Sequence, residues 1–267
     1  MQKGYIAKTG DAAKERLALQ HRVFAPGTEL LLRMAKFKPS MKVLIVGCGC
    51  GDETIMIAQK MVGHGGEIVA MDKSSNQIEQ TRLAIIKSGV PTRITYLTKS
   101  VDELDPSDGE YDLIVCRLVI SYFFNPKIAI QLLKNRLRPG GVLASQETIV
   151  SSCYSIPHSP ALKRYLDLMQ AFAVYHKLNF DMAQNIPILF SECGLQTISE
   201  TWQPEVHGDD KRMVELSAIE CMPAIQEANL IRPIEAEHLI KALNDEITIP
   251  PATVLFQCVN VLTVGTN

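Results

Sequence analysis

The sequence lacks an excess of charge of either sign. Its 27 Lys and Arg residues and 29 Asp and Glu residues leave a formal net charge of −2. Such a balance provides no electrostatic attraction to nucleic acid or to an anionic membrane surface. No apolar run approaches the roughly 18 residues of a membrane span, and no apolar signal-peptide core lies near the N-terminus. We therefore expect a cytoplasmic protein that has neither nucleic acid nor a membrane as a partner.

Closely spaced pairs of cysteines are also scarce. The seven cysteines are odd in number and scattered along the chain. Cys48 and Cys50 flank a glycine, but no second close pair accompanies them, which argues against a zinc site. We expect no bound metal, and we interpret the cysteines as reduced thiols that act mostly as small core residues.

What the sequence does have is one stretch, residues 43–72, with the pattern of a nucleotide-binding crevice. A β-branched apolar run predicts a strand buried on both faces. Gly47, Gly49 and Gly51 follow it, then an apolar pattern at helical spacing, then a second apolar strand that ends at Asp72. Glycines allow close backbone approach to a ligand, and a helix start offers N–H donors. An acid at the end of the second strand can accept both hydroxyl groups of a ribose.

The details of this stretch argue against a dinucleotide. A dinucleotide fingerprint reads G-x-G-x-x-G, whereas residues 47–51 read G-x-G-x-G and the sixth position is Asp52. Asp52 and Glu53 would place two negative charges where a pyrophosphate must lie. This opposes NAD and favours a nucleoside ligand without phosphate, such as S-adenosylmethionine.

Three ordered motifs carry a resemblance to a known family. The glycine stretch resembles motif I of the class I (Rossmann-like) S-adenosylmethionine-dependent methyltransferases of the small-molecule type. Residues 110–117 and 137–141 resemble motifs II and III, in order and at the usual spacing. The pattern from Tyr5 to Gln20 resembles the family segment that covers the methionine end of the cofactor. The alternative for that segment is a helix packed on the sheet edge.

The alternation of predicted strands and helices indicates an α/β fold with a doubly wound parallel sheet. The resemblance implies a seven-stranded, mostly parallel sheet whose antiparallel last strand lies between its neighbours. We expect a helical N-terminal segment over residues 1–40 and an S-adenosylmethionine-binding core over 41–150. Residues 151–267 are expected to supply cap helices and the last two strands of the same sheet.

Local signals predict several element boundaries. Asp11 is suited to cap a first helix, and Pro26 suits the first turn of a second one. Ser74 or Ser75 is the expected N-cap of the helix that follows the second strand. The last strand is predicted over residues 253–264.

The resemblance implies which residues bind the cofactor. In the family, the glycine-loop backbone runs along the cofactor and the acid after strand two binds the ribose. The pair after strand three binds the adenine, and a backbone carbonyl after strand four meets the ammonium group. Arg117 could instead bind the cofactor carboxylate or a substrate anion. The expected residues are Gly47, Cys48, Gly49, Asp72, Lys73, Gln77, Ser100, Val101, Cys116 and Arg117.

Two positions depart from the family pattern. Ile45 stands where the family usually has an acid before the first glycine, and Ser100 stands where an acid usually meets the adenine amino group. A serine oxygen still accepts a hydrogen bond, and backbone contacts remain available. These departures keep open the alternative of a methyltransferase-like binding protein without turnover.

The catalytic residue stays unknown at this point. Methyl transfer from a sulfonium depends largely on positioning, and a general base is needed only if the nucleophile must lose a proton. Glu147, Tyr154, His158 and His176 are candidates for a base by their place in the chain, but the sequence selects none of them.

The function expected from these observations is S-adenosylmethionine-dependent methyl transfer to a small molecule in an enclosed, apolar pocket. The cofactor is S-adenosyl-L-methionine, and the partner is the small-molecule substrate. A homodimer is compatible with the sequence. The other alternative is a nicotinamide-dependent oxidoreductase, which the glycine pattern opposes.

Overall fold

A single large sheet organises residues 6–267, the part of the chain that the computed structural model describes. The strands in these residues are β1 Lys42–Val46, β2 Glu67–Asp72, β3 Arg93–Thr98, β4 Tyr111–Arg117, β5 Leu137–Ile149, β6 Tyr154–Ile156, β7 Gln196–Trp202, β8 Glu205–Val206, β9 Val254–Phe256 and β10 Val259–Thr266. Seven of them form one sheet in the order β3-β2-β1-β4-β5-β10-β7. The last strand, β10, runs antiparallel to both β5 and β7, whereas β1 to β5 pair in parallel. The predicted fold class is confirmed.

Helices cover both faces of this sheet. The α-helices in the described residues are α1 Lys14–Met34, α2 Asp52–Met61, α3 Ser75–Ser88, α4 Pro126–Lys134, α5 Pro160–Tyr175, α6 Ile186–Glu192, α7 Arg212–Glu227 and α8 Pro233–Leu243. Successive side chains of β1 point to opposite faces. Val43 and Ile45 pack with residues of α1 and α2, whereas Leu44 and Val46 pack with residues of α4 and α6. This two-sided burial explains the uninterrupted apolar run of the strand.

A third hydrophobic cluster builds a cap. It contains α5, α7 and α8, to which the three-stranded sheet β6-β9-β8 is attached. Helix α1 belongs to two clusters, because Val23 and Phe24 pack in the cap whereas Leu31 and Leu32 pack against the large sheet. Helix α1 therefore joins the cap to the sheet. Within residues 6–267, the helices are all too short or too polar to cross a membrane.

The prediction for Pro26 was wrong. Pro26 does not begin a second helix but lies inside the continuous α1. An interior proline removes one helical hydrogen bond, and the turn of the helix around it packs against other elements. Gly27 packs against the Trp202 ring, and the side-chain amide of Gln146 donates to the carbonyl oxygen of Phe24 at 3.2 Å.

Other boundaries differ in smaller ways. Asp11 lies inside a short 3-10 turn that leads into α1 and does not cap that helix. The strand predicted over residues 253–264 is two strands, β9 and β10, which are separated by residues 257 and 258 and belong to different sheets. Ser74 caps α3, as predicted. Tyr5, where the predicted cofactor-covering pattern begins, lies outside the described residues.

Gly27→Ala tests the close approach of α1 to the sheet. Helix propensity alone would favour alanine by up to about 1 kcal/mol. However, a Cβ at residue 27 would come within 2.5 Å of the Trp202 ring and 2.8 Å of the Gln146 amide nitrogen. We expect a net loss of about 1–3 kcal/mol in the free energy of unfolding, measured by urea unfolding. An unchanged or increased stability would contradict this packing.

Candidate functional site

A cavity of about 600 Å³ lies between the carboxyl ends of the parallel strands and the cap. On the sheet side, its wall is formed by the residues that follow β1, β2, β3 and β4. On the cap side, its wall is formed by side chains of α5 and α7, with part of α1 between the two sides. The carboxyl edge of a parallel sheet is where ligands of doubly wound folds bind, so this cavity is the candidate site.

Backbone hydrogen bonds join the glycine loop after β1 to the end of β2. The amides of Gly47 and Cys48 both donate to the carbonyl oxygen of Met71, at 2.8 and 3.0 Å. Gly47 has φ +73°, and a Cβ there would lie 2.9 Å from the Val119 side chain. Gly49 has φ +60° and an open face, since its nearest neighbour would be Leu17 at 3.8 Å. The loop therefore offers a ligand close access to its backbone at Gly49.

Asp72 ends β2 on the wall of the same cavity. One carboxylate oxygen accepts from the Ser74 amide at 2.9 Å and the other from the Gly49 amide at 3.3 Å. Burial raises the pKa of Asp72, whereas these two bonds and the nearby Lys73 lower it. The two donors hold the carboxylate in one orientation and leave oxygen lone pairs for a ligand.

The loop and Asp72 fit a nucleoside ligand without phosphate. The first three amides of the loop are engaged by Met71 and Asp72, so they are not available to phosphate oxygens. Asp52, at the start of α2, also lines the cavity and would repel a pyrophosphate. The residues present are therefore compatible with S-adenosylmethionine and incompatible with the phosphate grip of a dinucleotide.

Nine of the ten predicted cofactor residues line this cavity, and Cys116 does not. Cys116 is fully buried on β4 in the cluster with α4 and α6. Gln77 is held inside the wall, where its side-chain oxygen accepts from the Gly10 amide at 3.0 Å. The Ser100 hydroxyl donates to the Glu103 carboxylate at 2.8 Å, and Asp102 also lines the wall nearby.

Arg117 is oriented by a buried polar cluster that includes His21. Its Nε lies 3.7 Å from a carboxylate oxygen of the buried Glu53. Its Nη1 lies 3.1 Å from Nδ1 of His21 and 3.4 Å from the Thr28 hydroxyl. Burial raises the pKa of Glu53 and Arg117 lowers it. Burial and the Arg117 cation lower the pKa of His21 to about 4. Because arginine only donates, Nδ1 of His21 accepts and the ring is neutral.

Among the four candidates for a base, Glu147 alone lines the cavity; Tyr154, His158 and His176 lie elsewhere in the described residues. The Glu147 carboxylate is buried beneath the segment after β4. It accepts hydrogen bonds from the backbone amides of residues 119 and 120, at 2.6 and 2.7 Å, and from the hydroxyl group of Ser121 at 2.8 Å. Burial raises the pKa of Glu147, and these donors lower it. With three donors, Glu147 is suited to hold this segment in place.

An ion pair between Arg16 and Glu220 was missed by the sequence analysis. Arg16 lines the cavity, and its Nε donates to the Glu220 carboxylate at 2.7 Å. Both side chains are buried, with exposures of 7% and 6%. The two residues are 204 positions apart, and no local pattern links them. Arg16 itself could have been singled out because it lies within the segment that resembles a cofactor cover.

Comparisons with known proteins agree with this geometry. Residues 44–143 match a family model described as a methyltransferase domain. The ubiquinone biosynthesis O-methyltransferase of Pectobacterium atrosepticum is 29% identical over 101 residues, which cover 38% of this chain and 39% of that protein. The ubiquinone/menaquinone biosynthesis C-methyltransferase UbiE of Shewanella frigidimarina is 24% identical over 147 residues, 55% of each chain.

A solved structure extends the similarity to the whole fold. The mycolic acid cyclopropane synthase CmaA1, in complex with S-adenosylhomocysteine and CTAB, superposes with a TM-score of 0.60 at 14% identity, over 97% of this chain and 96% of that one. The matches to the two curated relatives span only 39% and 55% of their lengths. The resemblance to the class I S-adenosylmethionine-dependent methyltransferases is confirmed.

The neutrality of His21 has a consequence for stability. The unfolded chain takes up a proton on this side chain near its ordinary pKa of 6.5, whereas the folded protein does so only near 4. The free energy of unfolding should therefore fall as the pH drops from about 6.5 to about 4. His21→Gln should remove this contribution, whereas His64→Gln, at an exposed position, should retain it.

The measurement is urea unfolding of the wild type and both variants at a series of pH values, with NMR titration of the imidazoles. A His21 resonance that titrates near 6.5 in the folded protein would contradict the proposed contact with Arg117.

Proposed function

We propose that this chain, which carries a methyltransferase domain over residues 44–143, transfers a methyl group from S-adenosylmethionine to a small molecule held under the cap. The observation that carries this proposal is one continuous cavity. Its sheet side combines the glycine loop with Asp72, and its cap side is largely apolar. A site that receives two reactants in contact with one another is what a group transfer requires.

On the sheet side, each predicted residue that lines the cavity has a role in this proposal. The Gly47–Gly49 backbone lies along the cofactor, Asp72 binds the ribose hydroxyls, and Lys73 and Gln77 border the ribose. Ser100 and Val101 border the adenine. Arg117 faces the amino acid end of the cofactor, where the backbone after β4 also contributes. Residues 41–150 thus serve the cofactor, and residues 151–267 mainly serve the acceptor.

Little chemistry is required of the protein. The sulfonium of bound S-adenosylmethionine supplies an already activated methyl group. The chain aligns the acceptor with it, and the cap excludes water. Glu147 keeps the segment after β4 in position and is not assigned the role of base, since its carboxylate already accepts from three donors.

The names of the relatives guide the choice of acceptor. Both act in ubiquinone biosynthesis by name, one on oxygen and the other on carbon. Hydroxylated quinols and phenols are therefore the first acceptors to test, with methyl-labelled S-adenosylmethionine and product detection by mass spectrometry. Binding of the cofactor without any transfer to such acceptors would favour the binding protein without turnover. The cytoplasmic location and a homodimer remain predictions from the sequence.

Asp72→Asn tests the cofactor end of the proposal. Loss of the charge weakens the hydrogen bonds to the ribose by about 1.5–3 kcal/mol. S-adenosylmethionine affinity, measured by calorimetric titration, should therefore fall about 10- to 100-fold. Asp167→Asn, an exposed change on α5, is the matched control and should bind normally.

S-adenosylhomocysteine should follow the same pattern, and NAD should not bind. Normal affinity in a folded Asp72→Asn variant, or tight binding of NAD to the wild type, would contradict the proposal.

A further inference from the structure

The cap side of the cavity has an apolar wall. Leu162, Leu166 and Met169 come from α5, and Met213 and Val214 come from α7. All five belong to, or pack against, the hydrophobic cluster of the cap. An acceptor that enters here gains most of its affinity from contact with this apolar surface.

Two hydroxyl groups face each other across this wall. Tyr165 of α5 and Ser217 of α7 both line the cavity, and their oxygens are 2.8 Å apart. Tyr165 is 5% exposed, so the pair is formed inside the protein. Burial raises the pKa of Tyr165 well above its ordinary value, and its hydroxyl stays protonated.

The Tyr165–Ser217 pair can still form a hydrogen bond with a ligand. Each hydroxyl has one proton to donate and two lone pairs to accept with. The bond between them uses one proton and leaves the other for a third group. Cys221 lies next to both hydroxyls, but a thiol is a weak hydrogen-bonding partner. An oxygen atom of a ligand would be the stronger partner.

The Arg16 cation near the pair is already compensated by a carboxylate. Arg16 lies near Tyr165 and Cys221, and it forms its buried ion pair with Glu220, which does not line the cavity. A negatively charged ligand would therefore add an uncompensated charge to an apolar site, which is costly. An uncharged oxygen would not incur this cost.

We propose that the acceptor is an uncharged, mainly apolar molecule, and that the Tyr165–Ser217 hydroxyl pair binds an oxygen atom of it. This inference rests on the proposed function, because it concerns the acceptor end of the same cavity. It separates uncharged phenol-type or quinol-type acceptors from carboxylate-bearing ones. It also makes Tyr165 and Ser217 specificity-determining residues.

The test uses three probes that share one aromatic body: naphthalene, 2-naphthol and 2-naphthoate. Each is titrated at neutral pH into the full chain saturated with S-adenosylhomocysteine, and binding is followed by probe fluorescence. We expect 2-naphthol to bind about 5- to 10-fold more tightly than naphthalene, as one neutral hydrogen bond allows. We expect 2-naphthoate to bind at least about 10-fold more weakly than 2-naphthol, because its charge is not compensated.

In the double variant Tyr165→Phe with Ser217→Ala, the affinity for 2-naphthol should fall to within about twofold of the affinity for naphthalene, since only the hydrogen bond is lost. Naphthalene affinity itself should change little. Tyr175→Phe, at an exposed tyrosine of the same helix, is the control and should keep the preference of the wild type. If the double variant unfolds, Ser217→Ala alone replaces it, with the same direction of change.

Three outcomes would overturn the inference: tightest binding of 2-naphthoate, a 2-naphthol preference that survives in the variant, or failure of all three probes to bind. Binding of S-adenosylhomocysteine is measured separately in every protein. Failure of the wild type to bind S-adenosylhomocysteine would instead count against the proposed function, so the two failures are distinguishable.

Discussion

One backbone acceptor, the carbonyl oxygen of Met71, determines the geometry of the cofactor side. The amides of Gly47 and Cys48 both donate to this oxygen, so hydrogen bonds hold the loop after β1 against the last residues of β2. Asp72 follows directly and accepts from the amide of Gly49. In this arrangement Gly47 and Gly49 have positive φ, which residues with a side chain rarely adopt. The shape of the loop and the position of the carboxylate are thus one structural unit.

Several buried charges lie in or behind the cavity wall, and each is compensated in its own way. Glu53 is opposed by Arg117, and Glu220 by Arg16. Glu147 is compensated by three donors from the segment after β4. Removing one partner of such a group is more costly than never having buried the pair. The compensating groups lie on different elements, so the charges also specify how those elements are arranged around the site.

Much of the sheet and of the cofactor side could be predicted because their signals are local. The apolar strand, the alternate glycines and Asp72 lie within one stretch of 30 residues, and chain order alone brings them to one edge of a parallel sheet. Pro26 was predicted wrongly because the turn of the helix around it packs against Trp202 and Gln146, which are distant in sequence and give no local signal.

The same reason explains what the sequence could not show on the cap side. The Arg16–Glu220 and Tyr165–Ser217 contacts join residues that are 204 and 52 positions apart. Their pairing depends on how α1, α5 and α7 pack. No spacing rule indicates such contacts, and β6, β8 and β9 are too short to give a periodic signal.

Helix α1 connects the two sides of the cavity. Its first half contributes Phe24 to the cap cluster and Arg16 to the pair with Glu220. Its second half packs on the sheet, while His21 and Thr28 contact Arg117. A displacement of α1 would therefore disturb the cofactor side and the cap side together. Because Gly27 lacks a Cβ that would overlap the Trp202 ring, α1 packs closely against the sheet, and the cap is positioned relative to the glycine loop through it.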